Sequence, residues 1–80
     1  MGRQDPVRKQ LRLFRATTTS LSIIWQNTPE YDTVSMMLFM IRAKINEYLV
    51  RRVIPDYAID EIRRMFEEFY ASTGKPQYKI

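Results

Sequence analysis

The chain of 80 residues contains no cysteine and no histidine. Those absences remove a disulfide framework, a Cys/His zinc site and any catalytic site built on a thiol or an imidazole. A metal would have to be held by carboxylates alone, and no clustered carboxylate loop is visible. The only glycines are Gly2 and Gly74, so there is no glycine-rich phosphate loop. Long apolar runs are missing too. The longest uncharged stretch, Ala16 to Pro29, carries Thr, Ser, Gln and Asn and falls short of the roughly 20 apolar residues of a spanning helix. The chain is therefore read as soluble, or peripheral to a membrane at most.

Acids are scarce where the chain begins. From Met1 to Pro29, Asp5 stands alone against Arg3, Arg8, Lys9, Arg12 and Arg15, and Thr17, Thr18, Thr19 and Ser20 follow. Arg-rich, hydroxyl-rich and acid-poor is the composition of a mitochondrial targeting helix, here expected to be retained; it is equally that of the first helix of a basic protein. The net charge is +4, which suits an acidic protein, an anionic membrane surface or nucleic acid. A chain this short buries only about 60% of its unfolded surface, so a partner is a natural supplement to its core.

What is present is helical seam. Asp5-Pro6 reads as an N-cap followed by proline at the first helical position. From there Val7, Leu11, Phe14, Thr18, Leu21 and Trp25 recur at alternating steps of three and four, one face of a helix over about 6–25. The β-branched Thr17-Thr18-Thr19 leave residues 17–25 open to a strand as well, but the seam keeps its phase through them. After the break Gln26 to Thr28, with Thr28 as cap, a second helix is predicted over about 29–52, with seam Val34, Leu38, Ile41, Ile45 and Tyr48. Within it Met36 to Ile41 is apolar all round the cylinder, as in helices covered on every side. Two further helices are too few for that, so an outside partner is expected. Pro55-Asp56, with Asp56 as cap, opens a third helix over about 56–73. Its seam is Ile59, Ile62, Phe66 and Phe69, and Gly74 stops it. The expected fold is a single all-α domain over 1–80, an antiparallel three-helix bundle with an extended C-terminal tail from Lys75.

Asp60, Glu61, Glu67 and Glu68 read as a solvated face, Glu67 and Glu68 four residues beyond Arg63 and Arg64. No catalytic constellation is present, and the chain is expected to be neither an enzyme nor the owner of a cofactor. Binding is better served. Arg8, Arg12 and Arg15 fall in a narrow arc beside Phe14. Lys44 and Arg51 share a side of the second helix with Met37 and Met40, and Arg42 takes the opposite flank. Cations beside apolar surface suit an acidic protein partner, and methionines make an adaptable wall around a flexible apolar ligand. Nucleic acid is the weaker use of these charges: no helix-turn-helix or aromatic-basic platform is visible. A ribbon-helix-helix would need residues 17–25 as a strand.

Leu13-Phe14-Arg15 early in the first helix resembles the Leu-Tyr/Phe-Arg tripeptide of the LYR-motif family of small mitochondrial proteins. Ile41-Arg42-Ala43-Lys44-Ile45-Asn46-Glu47-Tyr48-Leu49 is similar to that family's second-helix signature. Arg51-Arg52-Val53-Ile54-Pro55-Asp56, followed by Ile59 and Ile62, looks like its polar break and third helix. Where the family often continues with a further Leu-Arg, this chain has Ala16-Thr17. The resemblance implies a subunit or assembly factor of a mitochondrial, respiratory-type complex, in the matrix or on the matrix side of the inner membrane. It further implies binding of the mitochondrial acyl carrier protein, whose acyl-4'-phosphopantetheine chain enters the three-helix core. By position, Arg15 would meet the carrier or its prosthetic group, Phe14 would line the acyl tunnel beside Leu13, and Arg42, Lys44 and Arg51 would be further grips. The alternatives are a structural helical subunit of a large assembly without a carrier and, more remotely, a small basic nucleic-acid binder.

Overall fold

The computed structural model describes residues 5–74. They form α1 (Pro6–Ile24), α2 (Tyr31–Leu49) and α3 (Ala58–Thr73), an all-α three-helix fold as the seams predict. Arg8 near the start of α1 bonds to Leu49 at the end of α2, while Ser22 near the end of α1 meets Tyr31 at the start of α2. These two helices are therefore antiparallel. Tyr48 meets Glu61, and Thr33 and Val34 share a groove with Ser72 and Thr73, so α3 runs back along α2. The expected C-terminal tail lies outside the described residues.

α1 starts as its sequence dictates. Asp5 Oδ1 accepts from the amides of Val7 (3.1 Å) and Arg8 (3.3 Å), and Pro6 fills the first turn. The threonines do not break it. Thr17 Oγ1 donates to the Leu13 carbonyl (3.1 Å) and Thr18 Oγ1 to that of Arg15 (2.6 Å), a back-bonding that lets hydroxyl residues sit inside a helix. Residues 17–24 are helix, which removes the strand reading and the ribbon-helix-helix with it.

The two later helices start and end inside their predicted bounds. Thr28 does not cap α2, because its hydroxyl turns back to the Trp25 carbonyl at 2.7 Å. The chain makes a further turn, and Glu30 takes the cap position without a side-chain bond. Asp56 does not cap α3 either. A turn closed by the Ala58 amide on the Pro55 carbonyl (3.1 Å) makes Tyr57 the cap residue. Gly74, at φ +87°, ends α3 as expected, a backbone conformation that favours glycine.

The buried residues are the predicted seams, nearly position by position: Leu11, Thr18, Leu21 and Trp25; Val34, Leu38, Ile41, Ile45 and Tyr48; Ile62, Phe66 and Phe69. Val7, Phe14 and Ile59 are half-buried at its edge. Ala58, four residues before Ile62, is fully buried as well. The apolar stretch on α2 divides. Leu38 and Ile41 face inward, whereas Met36, Phe39 and Met40 remain 67%, 68% and 61% exposed. Its outer side is thus apolar surface that no described part of the chain covers.

Candidate functional site

The tripeptide on α1 points three ways, as consecutive positions must at about 3.6 residues per turn. Leu13 faces outward and is 54% exposed. Phe14 turns toward α3 and packs on Phe66, ring centroids 5.4 Å apart and tilted 45°. Arg15 turns toward α2, where its Nη1 donates to Asn46 Oδ1 at 2.6 Å. Side chains on either flank of the buried Leu11–Thr18 line thus tie α1 to both neighbours.

The basic candidates do not converge on one spot. Arg42 is exposed on the α1 side of α2 and lines a shallow groove of about 140 Å³ with Thr18, Ser22, Ser35, Leu38 and Phe39. Lys44, on the Met37 side, pairs with Glu47 at 3.2 Å. Arg51 does not continue that side. α2 ends at Leu49, and the Arg51 guanidinium lies over the Tyr48 ring, 5.2 Å from its centroid. Arg8, expected only as part of the stripe, clamps the helix end: its Nη1 donates to the Leu49 carbonyl (2.7 Å) and its Nη2 to that of Arg51 (2.9 Å). Arg63 pairs back to Asp60 at 3.0 Å instead of forward to Glu67.

Glu61 is likewise not a solvated acid. It is half-buried and accepts a hydrogen bond from the Tyr48 hydroxyl. That bond, then burial and the carboxylate's charge, push the Tyr48 phenol from its ordinary 10.0 up to about 12, against a smaller opposing pull from Arg51. Because the folded value is the higher one, the contribution is fully present below pH 10 and is lost as pH rises toward 12. Alkaline absorbance titration of wild type against Tyr48→Phe is expected to assign the missing late-ionising phenol to this residue. Denaturant melts should show wild type losing its advantage over the variant across the same window.

Two grooves run along the α2/α3 junction. One, about 130 Å³, is walled by Met37, Met40, Ile41, Met65, Glu68 and Phe69. The other, about 290 Å³, is walled by Trp25, Glu30, Thr33, Val34, Met37, Ser72 and Thr73. Met37 borders both, so the adaptable methionine wall read from the sequence exists on this side. Trp25 lines the larger groove, and its Nε1 is buried without an acceptor, an arrangement that costs about 1–3 kcal/mol. The sequence offered no signal for it beyond the single tryptophan at a helix end.

No described helix is long and apolar enough to cross a membrane, and among the described residues no group of three or more acids gathers as a metal site. No family model, no curated protein and no solved structure matches the chain.

Proposed function

We propose that this chain is a non-catalytic accessory subunit or assembly factor of a respiratory-type mitochondrial complex that docks acyl carrier protein and accommodates its acyl-phosphopantetheine chain. The observation that carries the reading is the seat of Leu13-Phe14-Arg15. It lies on the first of three helices, Phe14 against α3 and Arg15 against α2, with Arg42 on the same α1/α2 side. The methionine-walled α2/α3 junction is a further support, since flexible thioether side chains can part for an acyl chain. The uncovered Met36, Phe39 and Met40 would meet neighbouring subunits of the complex, at work in the matrix or on the matrix side of the inner membrane.

Arg15→Glu tests the assignment. It inverts the charge that would grip the carrier's acidic helix and removes only one exposed hydrogen bond to Asn46. The expected result is carrier binding weakened by at least tenfold with helix content by circular dichroism unchanged. A carrier that stays bound would remove Arg15 from the interface. A second reading, a structural subunit without a carrier, is favoured by one observation: Arg15 and Arg8 already have partners inside the chain. It predicts protein on all sides of Met36, Phe39 and Met40 and no lipid chain in the bundle.

A further inference from the structure

We infer that the turn joining α2 to α3, residues 50–57, is a contact site for an anionic membrane surface. Val50, Val53 and Tyr57 enter the interface, and Arg51 and Arg52 meet the headgroup phosphates. The turn carries the two most exposed large apolar side chains of the described residues, Val50 at 83% and Val53 at 76%, with Tyr57 at 61%. It has an inner side as well: Ile54 packs against the core and Pro55 is half-buried, while the valines stay out. The backbone beneath them is held. Arg8 bonds the Leu49 and Arg51 carbonyls, and the Ala58 amide closes on the Pro55 carbonyl at 3.1 Å. Arg51 and Tyr57 are gathered round one ring, that of Tyr48. The guanidinium lies 5.2 Å from its centroid, and the Tyr57 ring stands edge-on with centroids 6.5 Å apart. A cation beside an amphipathic ring is the pairing favoured at the level of lipid headgroups.

Charge agrees. Most acids of this end are occupied: Asp5 caps α1 and faces Arg8, Asp60 pairs with Arg63, and Glu61 accepts from Tyr48, which leaves Asp56. Arg52 is exposed with no ion-pair partner among the described residues, and so is Lys9, next to Arg8 on α1. The turn at the other end of α2 is the contrast. Residues 26–30 expose no large apolar side chain and finish on an acid, Glu30. Apolar side chains projecting from the end of a bundle would each need a matching pocket in a protein partner. A bilayer interface accepts them without one, and anionic lipid adds attraction for the arginines. No described helix is long and apolar enough to cross a membrane, so the contact is at its surface. The site is separate from Leu13-Phe14-Arg15 and does not rest on the acyl-carrier reading.

The chain has no cysteine, so Val53→Cys gives a single attachment point for an environment-sensitive NBD dye. Asn27→Cys places the same dye on the opposite turn. With vesicles of phosphatidylcholine containing one-third phosphatidylglycerol, the dye at position 53 is expected to brighten and shift to the blue, saturably, and the dye at 27 to stay unchanged. Pure phosphatidylcholine vesicles, and inorganic phosphate at matched phosphate concentration, should move neither. In vesicle co-sedimentation of the full chain, Arg52→Glu should weaken partitioning at least about tenfold. Val50→Ser combined with Val53→Ser should abolish it, with circular dichroism unchanged because these positions are exposed. A dye at 53 that ignores anionic vesicles would overturn the inference and leave the turn to a protein partner or to solvent. Undiminished sedimentation of the double serine chain, or equal binding to neutral vesicles, would overturn it too.

Discussion

Phe69→Ala is expected to cost about 3–5 kcal/mol, a large fraction of the stability a domain of this size possesses, about 4–12 kcal/mol. Phe69 is 1% exposed, lies edge-on to Tyr70 with centroids 5.5 Å apart, and shares a wall with Ile41 across the α2/α3 junction. Removing the ring forfeits its transfer from water and leaves a void that three short helices can only partly close. Phe39→Ala is the internal control. It deletes the same ring from a residue 68% exposed on the outer side of α2, where substitutions move stability by no more than about 0.5 kcal/mol. Urea melts followed at 222 nm give both numbers. Equal losses would mean that burial within the chain does not set its stability.

The second large effect belongs to Arg8→Ala, about 2–3 kcal/mol. The Leu49 carbonyl is among the last of α2, and carbonyls there have no partner inside their own helix. Arg8 supplies one missing donor, to Leu49, and a second bond to the Arg51 carbonyl just beyond the helix, from 41 and 43 residues away, and brings positive charge to the negative end of the helix dipole. Each charge-assisted bond is worth about 1.5–3 kcal/mol where water is excluded. Partial exposure of the side chain, 26%, keeps the total below the sum. Faster amide exchange is expected over residues 50–57, with α1 and α3 slowed to no lesser degree than before. Arg8→Lys should restore less than half, since one ammonium cannot span both carbonyls as the planar fork does. Complete rescue by lysine would make the clamp a matter of charge alone.

The seams were legible because they are periodic: Val34, Leu38, Ile41, Ile45 and Tyr48 differ from their neighbours in polarity at the spacing of a helix, and all five are buried. The uncovered patch on α2 was legible for the same reason, as apolar residues beyond what one face requires. Helix ends were less so. Thr28 and Asp56 are good caps locally, but the backbone made an extra turn after each before committing to helix. The Arg8 clamp and the Tyr48–Glu61 bond were out of reach. They join residues 41 and 13 positions apart whose types alone suggest solvated charge and core filler. The orphaned Trp25 N–H is a property of packing and has no counterpart in pattern. Among the site residues, the sequence brought out Leu13-Phe14-Arg15 as a unit, whereas the fold distributes its members to solvent, α3 and α2.

Native mass spectrometry of the protein isolated from its own cells tests the central claim most directly. The account predicts a companion of carrier size bearing acylated phosphopantetheine, retained by wild type and lost with Arg15→Glu. The chain held by other subunits with no such companion would contradict it, leaving a three-helix subunit in which Phe14 and Arg15 serve only to tie α1 to α3 and α2.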